Sequence, residues 1–149
     1  MMPSNVDWSV TGWPLCGEID IMEEVGVDKD RVSSSLHTEK YNHVKGTQKT
    51  HEMYLEGAEN DFHIYSLEWT EDEITTYVDG KVQLNIKKSD MGNDQESWPF
   101  HNAFYPIFNL AWGGDWGGYE GVDESVLPVS MLIDYIRVYQ KDTSENEIR

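Results

Sequence analysis

The stretch Gly17-Glu18-Ile19-Asp20-Ile21-Met22-Glu23-Glu24-Val25-Gly26 interleaves carboxylates with large apolar residues, which a solvated charge run does not do. As a helix it is short, it sits between two glycines, and Glu18 and Glu23 diverge by about 140° around the axis. As a strand it places Glu18 and Asp20 on one face, while Ile19 and Ile21 fill a core on the other. Strict alternation then turns Glu23 inward with the isoleucines, because an odd number of steps separates it from Glu18. One extra residue near Met22, a β-bulge, returns Glu23 to the carboxylate face. Bulges recur where side chains are re-aimed beside active sites, so the pattern predicts a strand with a bulge at that point.

With the extra residue absorbed, Glu18 and Glu23 lie about 13 Å apart at their Cα atoms, and two Glu side chains leaning over Asp20 close most of that gap. Carboxyl groups about 5 to 5.5 Å apart suit retaining glycoside hydrolysis, in which one attacks and the other serves as acid and then base. That chemistry needs two carboxylates of different proton affinity at one pH. Crowding three acids on one face drives their pKa values apart as a coupled set. Glu18 is then the ionised nucleophile, Glu23 the protonated acid, and Asp20 the bridge that helps Glu23 keep its proton. Two other readings of the same acids stay open at this level. One is a merely acidic exposed strand face, and the other is a set of oxygen ligands for Ca²⁺ or Mg²⁺, although the Asn, Gly and turn pattern of a calcium loop is missing.

Outward from this segment, short runs rich in β-branched and aromatic residues are bounded by Gly, Asp, Asn or Pro, the signature of strands and turns. The predicted strands are Gly17 to Met22, Arg31 to Thr38, Phe62 to Trp69, Ile74 to Val78, Val82 to Ile86, Phe104 to Ala111 and Met131 to Tyr139. Asp79-Gly80 supplies the positive φ angles of a tight hairpin turn. The last strand alternates cleanly and is expected inside a sheet. Gly113-Gly114-Asp115-Trp116-Gly117-Gly118 is a loop able to turn sharply or to approach a ligand. Helical periodicity is scarce, so the fold class is all-β, with two antiparallel sheets packed face to face.

At 149 residues and 38% hydrophobic content the chain has the size of one ordinary domain. Lys and Arg number 11 against 28 Asp and Glu, for a net charge of −17 that repels phosphate backbones and anionic headgroups, so neither nucleic acid nor membrane is an expected partner. No apolar run is long enough to span a bilayer, and Met1-Met2-Pro3-Ser4 does not read as a signal peptide. Cys16 is the sole cysteine, which excludes an intrachain disulfide; by alternation it shares a face with Glu18, and it reads as a small filler rather than a nucleophile. Six Trp and eight Tyr against four Phe favour flat rings with a polar handle, as sugar clefts do.

Trp13-Pro14-Leu15-Cys16-Gly17-Glu18-Ile19-Asp20-Ile21-Met22-Glu23 resembles the active-site strand of glycoside hydrolase family 16 in its laminarinase-like form. Similar segments follow in order: Leu36 to His43, Phe62 to Trp69 leading to Tyr77-Val78-Asp79-Gly80, Trp98-Pro99-Phe100, Asn109 to Gly118, and Asp134 to Tyr139. The resemblance implies a concanavalin-like jelly roll and retaining endo-hydrolysis of a β-linked polysaccharide, with β-1,3-glucan first among the candidates. It also implies that Glu18 is the nucleophile, Asp20 the assisting acid and Glu23 the acid/base. Trp13 and His37 match residues that meet the sugar or the acid/base. Asn42, Trp112 and Trp116 are further substrate-binding candidates, each with a turn or packing role as the competing reading.

No cofactor is expected and no side-chain metal motif is present, although the resemblance is compatible with a structural calcium held by backbone oxygens. Residues 1–141 match the carboxyl-terminal part of a family catalytic domain and 142–149 read as a polar tail. Secretion or cell-surface placement of a full-length parent follows from the resemblance, while the oligomeric state is left open. A non-catalytic glycan-binding module and an inactive fragment are the competing functional readings.

Overall fold

The computed structural model describes residues 1–141, so the tail expected at 142–149 lies outside the described residues. Strands β1 (Met2–Pro3), β2 (Glu18–Glu23), β3 (Arg31–His37), β4 (Lys49–Tyr54), β5 (Tyr65–Trp69), β6 (Glu73–Val78), β7 (Lys81–Lys87) and β8 (Phe104–Tyr105) follow in chain order. All their pairings are antiparallel. They form one sheet ordered β2-β3-β4, a second ordered β5-β6-β7, and a short β1-β8 pair.

The core lies where the two three-stranded sheets face each other. Ile19 and Leu36 from the first meet Ile74 and Leu84 from the second, and Met91, Trp98 and Phe100 from the connection after β7 complete the cluster. Trp69 docks on it, its indole N–H donating to the Phe100 carbonyl at 3.0 Å and its ring set edge-on to Phe104. Cys16 is buried and unpaired beside this layer, and burial pushes its thiol above the ordinary range, as suits a filler rather than a nucleophile.

The hairpin turn has the predicted form. Asp79 and Gly80 take φ values of 49° and 76°, and Val78 pairs with Lys81 across a two-residue loop. The Asp79 side chain then reaches back, accepting from the Ile64 amide at 2.9 Å and contacting His63 Nδ1 at 2.8 Å. Residues 62–64 are therefore held by the Asp79 side chain and by a single backbone bond, the Asp79 amide donating to the Ile64 carbonyl at 2.9 Å, and β5 starts at Tyr65, three residues later than predicted.

Three further differences have physical causes. Strand β4, Lys-Thr-His-Glu-Met-Tyr, was not foreseen because it is mostly exposed and shows no apolar alternation; its pairing with β3 from Arg31↔Tyr54 to Leu36↔Lys49 creates it. Of the predicted strand Phe104 to Ala111, only Phe104 and Tyr105 are paired, through Met2 and Pro3. The predicted strand Met131 to Tyr139 is not in any sheet among the described residues, and both of its alternating faces are exposed. Alternation makes a segment able to enter a sheet, but only a neighbour's N–H and C=O groups make it a strand.

Candidate active site on the bulged strand

Strand β2 carries the extra residue. Asp20 pairs with Ser35 and Glu23 with Ser33, so three steps along β2 span two along β3. The serines of β3 sustain this irregularity. Ser34 Oγ donates to the Asp20 carbonyl at 2.7 Å and Ser33 Oγ to the Glu23 carbonyl at 3.5 Å, which gives partners to backbone oxygens at both ends of the bulge. Ser35 Oγ donates to Glu23 Oε2 at 3.3 Å and itself accepts from Thr50 Oγ1 at 3.0 Å. A polar relay from β4 through β3 therefore fixes the Glu23 carboxyl.

Glycine is required just before Glu18. Gly17 adopts φ +83°, and a Cβ there would stand 2.6 Å from Pro99 Cγ, so the strand can enter the sheet against Pro99 and Phe100 only without a side chain. Trp13, on the preceding loop, donates its indole N–H to Glu18 Oε2 at 2.6 Å. His37, opposite Glu18 on β3, places Nε2 3.4 Å from Asp20 Oδ2.

Burial sets the electrostatics. Asp20 is pushed up to about 8, first by loss of solvent and then by the charges of Glu18 and Glu23, with hydrogen bonding toward Glu18 adding a smaller rise. Burial also raises Glu23 above the ordinary carboxylate range; the Ser35 hydroxyl pulls it down and the Glu18 charge adds to the rise. Burial lowers His37, which is therefore neutral at pH 7. At neutral pH the row presents a protonated Asp20, with a further carboxyl, Glu23, that holds its proton longer than usual.

Glu18, Asp20 and His37 are, among the described residues, the group of three whose potential ligand atoms all lie within 4.8 Å of one another. Two carboxylates and an imidazole do not make the six- to eight-oxygen cage that Ca²⁺ takes, and one of these carboxyls carries a proton near neutral pH. The set fits proton-transfer chemistry better than a resident calcium.

The other candidates separate in space. Asn42 is buried and its polar atoms are engaged: Nδ2 donates to the carbonyls of Thr38 and Glu39, both at 3.0 Å, and Oδ1 accepts from the Lys45 amide at 3.2 Å. The turn role holds for Asn42, which has no free polar atom for a sugar hydroxyl. What that cap does is bring round His43, which the sequence reading did not single out. The His43 ring lies 5.0 Å from that of Trp13 and edge-on to His37 at 5.3 Å, and its charge opposes the rise at Glu23. Asn followed by His in a capped turn, just after the His37 strand, was the available signal. Trp112 and Trp116 are both about half exposed. The glycine loop that carries Trp116 runs close to the end of the acidic segment, since a Cβ on Gly117 would meet Val25 Cγ1 at 3.6 Å.

A pair of facing antiparallel sheets, with a bulged strand that lines up three carboxyls on one side, defines a β-sandwich that carries an acidic row on one strand. The glycosyl hydrolases family 16 model matches residues 4–137, and the chain belongs to that family. It is 41% identical over 143 residues to a beta-glucanase of Rhodothermus marinus, a match covering 94% of this chain and 50% of the relative. It is 36% identical over 148 residues to glucan endo-1,3-beta-glucosidase A1 of Niallia circulans, covering 95% of this chain and 21% of that protein. The crystallographic laminarinase of Rhodothermus marinus superposes with a TM-score of 0.79 at 39% identity, over 85% of this chain and 52% of that one. The chain thus spans about half or less of the length of these relatives.

Proposed function

We propose that this chain supplies the catalytic strand of a retaining endo-β-glucanase whose preferred substrate is a β-1,3-glucan of the laminarin type. The observation that carries the reading is the bulge, because it turns Glu23 onto the face of Glu18 and Asp20 while leaving Ile19 in the core. Glu18 attacks the anomeric carbon as Glu23 protonates the departing glycosidic oxygen, forming a covalent glycosyl ester. Glu23, now a carboxylate, takes a proton from water, which displaces Glu18 with net retention. Trp13 holds Glu18 Oε2 and leaves its second oxygen to attack, and the protonated Asp20 lets the nucleophile shed charge as the ester forms. The ring of Trp13, the His37 and His43 imidazoles, Trp112 and Trp116 are the surfaces offered to sugar. A polymeric glucan cannot enter a cell, which favours action outside it. Among the described residues no helix is long and apolar enough to cross a membrane.

Laminarin hydrolysis followed by proton NMR tests the reading. The β-anomer of the new reducing end is expected first, with the α-anomer appearing only by mutarotation. Initial release of the α-anomer would overturn the double displacement. Laminarin binding with no release of sugar, unchanged in the Glu18→Gln variant, would establish a binding module instead.

The shifted acid also leaves a mark on stability. Asp20 rises from an ordinary 3.8 to about 8 in the folded chain, so between these pH values the folded state holds a proton that the unfolded state has released. The stability that goes with this proton is complete below pH 4 and is lost as pH rises toward 8. Urea unfolding across that window is expected to show a falling free energy in the wild type and a flatter profile in Asp20→Asn. Parallel profiles would reject the raised value.

A further inference from the structure

Trp13 carries the hydrogen bond that orients Glu18, yet it sits on the loop between β1 and β2, outside every strand. The nearest backbone bonds run from the Cys16 amide to Gly12 and from the Gly17 amide to Pro14, and among the described residues none engages Trp13 itself. The direction of the indole is therefore set by what packs on its ring. His37 lies 6.1 Å away at 49°, and His43 lies closer, at 5.0 Å and 32°, inside the range where aromatic rings attract. The two imidazoles meet edge to face at 5.3 Å, which closes a three-ring cluster beside Glu18. His43 is exposed, but its backbone is held from both ends. Asn42 caps the short turn His43–Lys45 by accepting from the Lys45 amide at 3.2 Å, and Gly46, at φ 64°, donates to the His43 carbonyl at 3.0 Å. The Asn42 carbonyl also accepts from the Thr47 amide at 3.0 Å, while its amide donates to Thr47 Oγ1 at 3.2 Å. A buried asparagine thus keeps one exposed imidazole against the indole.

We propose that His43 is a positioning residue for Glu18: its ring braces the Trp13 indole, and the braced indole holds Glu18 Oε2 so that the other carboxylate oxygen is aimed at the anomeric carbon. The inference rests on the glucanase reading for the role of Glu18 and adds the group that keeps this nucleophile in place. The indole N–H lies at the far end of a side chain with two rotatable bonds, so a small turn of the ring carries it off the carboxylate. Hydrogen bonds weaken steeply as they bend, and a nucleophile misplaced by about 1 Å costs about 100-fold in rate. His37 cannot take over the brace. It is farther from the indole and more tilted, and its Nε2 faces Asp20 Oδ2 at 3.4 Å, which ties it to the acidic row. The contact of His43 with Trp13 is ring on ring, so the brace depends on flat area rather than on charge. A histidine that met only sugar would alter affinity and leave the indole bond as it was.

The test compares the full chain with its His43→Ala and His43→Phe variants, reading the Trp13 indole N–H by nitrogen-edited proton NMR beside laminarin kinetics. Trp13→Phe assigns the signal. In the wild type that proton is expected far downfield and slow to exchange, as a 2.6 Å bond to a carboxylate requires. In His43→Ala it should move upfield and exchange about tenfold faster. There kcat should fall about 10- to 100-fold while KM changes by no more than about threefold. His43→Phe, which keeps a flat ring without a charge, should restore both the signal and kcat. In a Trp13→Phe background His43→Ala should add less than about twofold to the loss, because the route to Glu18 is already cut. His43 is exposed and outside the core, so the amide spectra of β5 to β7 should not change in either variant. An indole signal unmoved in His43→Ala overturns the proposal. So does a rise in KM at unchanged kcat, the mark of a sugar contact, and so does a loss that simply adds to that of Trp13→Phe. The NMR arm keeps this inference apart from the reading it deepens. If the wild type releases no sugar from laminarin, yet the indole bond loosens in His43→Ala and returns in His43→Phe, the brace stands and the glucanase reading fails. Sugar release with kcat untouched by His43→Ala does the reverse.

Discussion

Glu18→Gln is expected to reduce laminarin turnover by about four orders of magnitude or more, an increase of at least ~5 kcal/mol in the barrier, while sugar affinity changes little. The amide is nearly isosteric and keeps an oxygen for the Trp13 indole N–H, which in the wild type rests on Glu18 Oε2 at 2.6 Å. The loop before β2 therefore has no reason to move. What disappears is the electron pair able to form a glycosyl ester, and water attacking directly would have to approach from the same crowded side. The substitution also removes one of the charges that raise Asp20 and Glu23, so the small residual rate should shift its pH dependence downward. Measuring turnover and affinity separately decides the role. Turnover within about tenfold of wild type would take the nucleophile assignment away from Glu18, and equal losses in binding and rate would point to a structural carboxylate.

The acidic strand was legible because its two periodicities conflict. Ile19 and Ile21 demand period two, and Glu23 can join its partners only if that period is broken once, so the bulge follows from the residues themselves. The Asp79-Gly80 turn was legible for a similar reason, since few residue pairs accept two positive φ angles. Strand β4 was not, because its side chains carry almost no hydrophobic pattern and its existence depends on edge hydrogen bonds to β3. The reverse holds at Met131–Tyr139, where the pattern is strong and the partner is missing among the described residues. In the site, the three acids came from alternation along one strand. The serines that hold the bulge and His43 act across strands and round a capped turn, where linear spacing carries no signal. Asn42 shows the same limit: a residue type suited to sugar hydroxyls is spent on the carbonyls of Thr38 and Glu39.

Glu23→Gln should divide substrates by their leaving groups. Natural glucan departs as a sugar alkoxide that must be protonated in the transition state, so loss of the acid is expected to cost about 100- to 10,000-fold. An aryl β-glucoside oligomer with a nitrophenolate leaving group needs little protonation, and its first step should proceed near the wild-type rate. The glycosyl ester would then accumulate, because the base that activates water is also gone, giving a burst of phenolate followed by a slow steady state. Azide, a nucleophile that needs no base, should restore the second step and yield the β-azide. Burial, the Ser35 hydroxyl and the Glu18 charge set the proton affinity of Glu23, so the high-pH limb of wild-type activity on laminarin should lie above the ordinary glutamic range. That limb should vanish in Glu23→Gln acting on the aryl substrate. Ser35→Ala removes a hydrogen bond that favours the carboxylate and should move the same limb further up. Equal loss on both substrates, with no burst and no azide rescue, would show that Glu23 supports the strand without serving as its acid, and the bulge would then need another explanation.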